Sequence, residues 1–222
     1  MNLLRRPNRS PQVKLLQRLI NLRARSSILA EDSIFGPKTE AAVKNFQRTK
    51  RLRPDGIVGP LTWRALGITI DIAHRIRLYG QPTNMTCWSA AATMLLGTNM
   101  SVGPGDAALG PSGGLNASYN NVKAFADSWG LDFHPPQSWT VRGIAELLRR
   151  GPLWVAGWVP SGHAVVYGSI HGDGTPDGTL IVIYDPWPPG VGRIRGEIYG
   201  DWIRRHPTAT TYILQASPAR RF

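Results

Sequence analysis

Apolar residues in the first third of the chain recur at helical spacing. Val13, Leu15, Leu16, Leu19, Ile20 and Leu22 form one amphipathic stripe, and Ala41, Ala42, Val43 and Phe46 mark a second helix over about 37–50. Pro60 suits the first position of a third helix, and Gly67 suits its end. The pattern then changes. Ile68-Thr-Ile-Asp-Ile72 alternates like a short strand, and Cys87 heads an apolar run that reads as a helix to Gly97. Five Gly and two Pro between Gly103 and Gly114 read as a loop, and helices are predicted over 116–129 and 141–150. Three β-branched runs follow, over 151–159, 163–170 and 179–184, the last two joined by the polar turn His171-Gly-Asp-Gly-Thr-Pro-Asp-Gly178. The class is therefore α+β, with a three-helix bundle at 1–68 and a mixed domain at 69–222 whose antiparallel sheet carries helices.

The bundle contains an internal repeat. Asp32-Ser-Ile-Phe-Gly36-Pro-Lys-Thr39 and Asp55-Gly-Ile-Val-Gly59-Pro-Leu-Thr62 share the pattern D-x-I-[FV]-G-P-x-T, each a tight turn that feeds a helix. Charge separates the parts. Residues 1–67 hold fourteen Lys/Arg against four Asp/Glu, ten of the net +12, so the remainder is close to neutral. A basic bundle suits nucleic acid or anionic wall polymers. No recognition helix or stacking motif supports nucleic acid, because Phe46 and Trp63 read as core. On the repeat and the helices over 13–66, the segment resembles the peptidoglycan-binding domain 1 family. That resemblance implies peptidoglycan as a partner, with Asp32, Gly36, Asp55, Gly59, Arg48 and Arg53 as candidate wall-binding positions.

A single cysteine, Cys87, occurs in 222 residues. At a helix N-terminus the peptide dipoles and free N–H groups favour a thiolate, although a lone cysteine is more often a buried structural residue. Two further residues change the balance. His163 opens one strand of the expected hairpin and Asp185 closes the other, which brings an imidazole and a carboxylate together. Cys, His and Asp are the parts of an activated thiol nucleophile.

Gln81 with Cys87-Trp88, Gly162-His163-Ala164-Val165-Val166 and Asp185-Pro186-Trp187 resemble the papain-like cysteine peptidases, closest to their bacterial AvrRpt2-type, C39-like branch. The resemblance implies Cys87 as nucleophile, His163 as general base then acid, and Asp185 as its orienter. It gives Gln81 and the Cys87 N–H to the oxyanion hole, Trp187 to shielding the His–Asp hydrogen bond, and Trp88 to support. Asp stands where Asn is more familiar, and the second cysteine of animal and plant papains is absent.

His74, His134, His171 and His206 read as exposed loop or element-end residues. The scattered His and single Cys give no zinc spacing, and Asp173 and Asp177 lack an EF-hand pattern, so neither metal nor other cofactor is expected. Lys14, Gln17, Arg18 and Asn21 interrupt any signal-peptide core, and no run is apolar enough to span a membrane. The expectation is synthesis in the cytoplasm without a Sec signal, then export or injection to the periplasm or wall. That route would use a secretion apparatus, with a cognate immunity protein, or a phage lysis cassette. Three functions fit: a wall-tethered peptidase or amidase acting on peptidoglycan peptides, a papain-like protease acting on proteins, and a non-catalytic wall-binding protein. A transferase using the same thioester chemistry is a further variant.

Overall fold

A computed structural model describes residues 1–157, 162–206 and 210–216. The chain divides into two compact units. The first comprises Met1–Asp71 with Ile170–Ile181 and Gly196–Trp202, and the second comprises Ile72–Ser169, Val182–Arg195 and Ile203–Phe222. The N-terminal module is thus joined in its unit by two segments from far along the sequence.

In the first unit, α1 (Pro11–Ala24), α2 (Pro37–Thr49) and α3 (Pro60–Ala65) form the expected helices. Val13, Leu15, Leu16, Leu19, Phe35, Val43, Val58 and Leu66 fill the interior. Two glutamines hold the repeats together. Gln17 Nε2 donates to Asp32 Oδ1 at 2.8 Å, to the Ile34 carbonyl at 3.0 Å and to Thr39 Oγ1 at 3.3 Å, while its oxygen accepts from Ser33 N–H at 3.1 Å. Gln47 repeats this on Asp55, Ile57, Thr62 and Gly56 at 3.0, 2.9, 3.3 and 3.0 Å. The matched Ser33 and Gly56 both have positive φ, 66° and 76°, which a glycine adopts without steric cost and a serine does not. Gln47→Leu would keep the volume but leave Gly56 N–H, the Ile57 carbonyl and Asp55 without this partner. A loss of about 2–4 kcal/mol in unfolding free energy is expected, read from denaturant melts, with Gln17→Leu similar.

Segments 170–181 and 196–202 add ion pairs to this unit. Arg23 Nη2 reaches Asp173 Oδ2 at 3.3 Å, Arg18 pairs with Asp201, and Lys14 Nζ lies 3.8 Å from Glu197 Oε2.

The sheet contains β1 (Ile70–Ala73), β2 (Leu131–His134), β3 (Leu153–Gly157), β4 (His163–Gly172), β5 (Thr179–Asp185), β6 (Arg193–Ile198) and β7 (Tyr212–Ala216). Its order is β2-β7-β3-β4-β5-β6, with β1 beside β4. Strand β7 pairs antiparallel with both β2 and β3, and β3 pairs antiparallel with β4, Gly157 lying opposite His163. Alternation sends Trp154, Ala156, Ala164, Val166, Tyr212, Leu214 and Ala216 to one face. There they pack with α4 (Cys87–Leu96) and α5 (Tyr119–Ser128). Gln215, of opposite parity, donates to the carbonyls of Leu147 and Gly151, at the end of α6 (Val141–Arg150) and just beyond it, at 2.8 and 3.0 Å. Burial on both faces explains why these strands read as continuous apolar runs. Helix α7 (Tyr199–Arg205) completes the set. Among the described residues, no helix is long and apolar enough to cross a membrane.

The expected end of the 151–159 strand falls partly outside the described residues. One reading is overturned. His171 is no exposed turn residue, because β4 runs on to Gly172 and carries its side chain inward, 3% exposed, where Nδ1 meets Asp71 Oδ1 at 2.8 Å. Burial lowers its pKa, and the Asp71 carboxylate only partly opposes this.

Candidate active site

Cys87 is the first residue of α4 and half-buried. Two indoles set that helix end. Trp154, fully buried on β3, donates Nε1–H to the Trp88 carbonyl at 3.0 Å. Trp88 stands edge-on to Phe125, ring centroids 5.6 Å apart, and donates Nε1–H to the Gly113 carbonyl at 3.3 Å. Trp88 thus supports the site as a core pillar that also ties down the glycine-rich loop.

His163 opens β4 and Asp185 closes the neighbouring β5, and His163 Nε2 lies 2.7 Å from Asp185 Oδ1. With Nε2 engaged, Nδ1 is the nitrogen left to serve the Cys87 thiol, whose proximity acts on this imidazole. Burial disfavours the imidazolium, but the hydrogen bond to Asp185 and the interactions with Cys87 and with the charge of Asp185 outweigh it and raise the His163 pKa to about 9. Asp185 is 1% exposed. Burial would raise its pKa, yet the hydrogen bonds from His163 and Trp187 N–H, with the positive charge of Arg195, hold it at about 2. Trp187 reaches Asp185 through its backbone, N–H to Oδ1 at 3.0 Å, and its side chain is 41% exposed.

Gln81 is fully buried. Its Nε2 donates to the Thr83 carbonyl at 2.6 Å, and its Oε1 has no partner among the described residues. Its backbone is gripped on both sides by the loop after Asp185. Gln81 N–H donates to the Pro186 carbonyl at 3.0 Å, and Gly190 N–H donates to the Gln81 carbonyl at 2.9 Å. The preceding Gly80 is obligatory for space, because a Cβ there would fall 2.5 Å from the Val191 nitrogen. The segment before the cysteine and the loop after the aspartate are therefore locked together.

More than half of the chain, residues 67–194, matches the family described as papain-like cysteine protease AvrRpt2. The chain belongs to this family. Residues 9–66 match the peptidoglycan binding domain family, so an AvrRpt2-type protease domain here follows a wall-binding module. Over 35 residues the chain is also similar, at 66% identity, to a Kitasatospora aureofaciens protein known as an uncharacterized protein in the bpoA1 3' region. That match covers 16% of this chain and 30% of the relative. No solved structure matches.

In the AvrRpt2-type domain, the residues expected for chemistry converge: His163 bonds Asp185, and Cys87 lies close enough to act on the same imidazole. The six candidate wall-binding positions belong to the first unit. Asp32 and Asp55 each spend one carboxylate oxygen on their own turn. Gly36 and Gly59 are the residues before α2 and α3, and Arg48 and Arg53 are exposed. Sequence reasoning missed Gln17 and Gln47, although the Gln-Arg pairs Gln17-Arg18 and Gln47-Arg48 precede both turns. It also missed Trp154 and the arginines beside Asp185. Among the described residues, no group of three or more His, Cys, Asp or Glu could hold a metal.

Proposed function

We propose that the chain is a papain-like cysteine hydrolase that cuts amide bonds in peptidoglycan peptides while its N-terminal module holds it at the wall. The observation that carries the reading is the Cys87–His163–Asp185 chain at the head of α4, downstream of a peptidoglycan binding domain. Cys87 gives its proton to His163 Nδ1 and attacks the amide carbonyl. The oxyanion is held by the Cys87 N–H and by the Gln81 Nε2 hydrogen not spent on Thr83, each worth about 2.7–4 kcal/mol. His163, kept protonated by Asp185, protonates the leaving amine, and water then releases the acid. The module raises the local concentration of wall peptides around the thiol. Export or injection into the periplasm or wall, with an immunity protein guarding the producer, completes the reading as an antibacterial effector.

A second reading is a protease acting on proteins, favoured by the family to which residues 67–194 belong. Digestion of purified sacculi with wild type and Cys87→Ala separates the two. New amine and carboxylate termini in muropeptides, seen by mass only with wild type, support the wall substrate. Intact sacculi together with Cys87-dependent cleavage of a protein panel would overturn it.

A further inference from the structure

The carboxylate of Asp185 has two sides, and only one faces the reaction. Oδ1 accepts from His163 Nε2 and from Trp187 N–H. Oδ2 is met by Arg193, at 3.2 Å from Nη2 and 3.3 Å from Nε, and by Arg195 Nε at 3.3 Å. Arg193 and Arg195 are two apart on β6, so the period of the strand sends both side chains to the same face, beside the end of β5. Among the described residues, the charged and titratable groups facing this carboxylate are His163 from β4 and these two arginines from β6. Cys87 of α4 faces the imidazole. One aspartate thus carries one imidazole and two guanidiniums.

We propose that Arg193 and Arg195 are positioning residues: they fix the Asp185 carboxylate with Oδ1 turned to His163 and commit this chain to aspartate where an asparagine could otherwise orient the imidazole. The proposal rests on the reading of Cys87, His163 and Asp185 as the reacting set. An asparagine has one oxygen. Turned to His163, it presents its NH2 group to two guanidiniums, donors facing donors. Turned to the arginines, it presents the NH2 group to the protonated Nε2 of His163. The first choice takes the acceptor from Arg193 and the counter-charge from Arg195, and the second leaves the His163 N–H without an acceptor. An aspartate satisfies both sides. The arginines act through Asp185 and touch no reacting atom.

Two readouts on the full chain test this. The first is the rate of Cys87 alkylation by iodoacetamide at pH 6, which needs no substrate and reports one site because Cys87 is the only cysteine. Asp185→Asn is expected to slow alkylation at least ~10-fold, and adding Arg193→Gln and Arg195→Gln to that variant is expected to restore it to within ~3-fold of wild type. The second is the melting temperature against pH of Arg193→Gln/Arg195→Gln. Without the guanidiniums the Asp185 carboxyl takes up a proton more readily in the folded state. The deficit against wild type should therefore be largest near pH 6 and shrink as pH falls toward 2. Arg195→Lys, which keeps the charge, should show a smaller deficit with the same trend. If the double variant does not fold, Arg195→Gln alone is read in both assays. An Asp185→Asn penalty that is the same with and without the arginines would overturn the proposal, as would a pH-independent melting deficit. Failure of the underlying reading looks different: wild-type Cys87 would then alkylate at pH 6 no faster than an unactivated thiol such as free cysteine.

Discussion

Cys87→Ala is expected to lower amide hydrolysis by about 10⁴–10⁶-fold, to the residual provided by binding and the oxyanion donors. Stability should barely change. The thiol is half-buried, so its removal leaves no enclosed cavity, and α4 stays anchored through Trp154 and Trp88, neither of which uses the sulfur. The diagnostic result is a kcat loss of this size with an unshifted melting curve and unchanged retention on sacculi. Loss of retention in this variant would mean that wall attachment runs through the hydrolase domain. Activity retained within tenfold would remove Cys87 from the chemistry altogether.

Asp185→Ala should damage both function and fold. Rate falls because His163 loses the acceptor that fixes its ring and sustains its imidazolium, an effect of about 10⁴-fold where an orienting carboxylate has been neutralised. Stability falls because two guanidiniums lose a shared counter-charge. Breaking a fully enclosed ion pair costs about 3–5 kcal/mol, but Arg193 is 55% exposed and can turn to water, so about 2–3 kcal/mol is expected here. The wild-type pair also has a pH signature. His163, raised from 6.5 to about 9, contributes stability that is complete below pH 6.5 and lost as pH rises through 9. Asp185, lowered from 3.8 to about 2, contributes stability that is present above 3.8 and lost as pH falls through 2. Both contributions are complete between those ordinary values. The Asp185→Ala melting deficit should therefore be greatest near pH 4–6.5 and shrink toward either extreme, read by circular dichroism.

What could be read from residues alone was whatever short-range pattern controls. Helix α6 matches its expected span, α2 matches within a residue, and the hairpin strands juxtapose His163 and Asp185 because a turn of known length fixes which ends meet. Strands that pair across long sequence separations were not legible. Four-residue β2 is too short for alternation to register, and its partner β7 lies some eighty residues further on. His171 was misread because the polar turn and the strand end share the same small residues, and only the tertiary partner Asp71 reveals where the strand stops. Arg193 and Arg195 carried no signal in the sequence, since an arginine reveals a buried carboxylate partner only once the strand beside it is known. In the module, the repeat was visible in its turns. The glutamines that hold those turns stood in plain sight, but at separations of fifteen and eight residues from their aspartates the two networks share no common spacing.

Strand β7 has a consequence for the order in which the chain is made. Among the described residues it is the last strand along the chain, yet it sits inside the sheet between β2 and β3, and α4 packs on both β3 and β7. Until Tyr212–Ala216 leaves the ribosome, β2 and β3 each present an open edge and the platform beneath Cys87 is unfinished. A nascent or prematurely terminated chain therefore carries the thiol, the imidazole and the carboxylate without the floor that aligns them. The reacting groups are aligned only once that strand has joined β2 and β3.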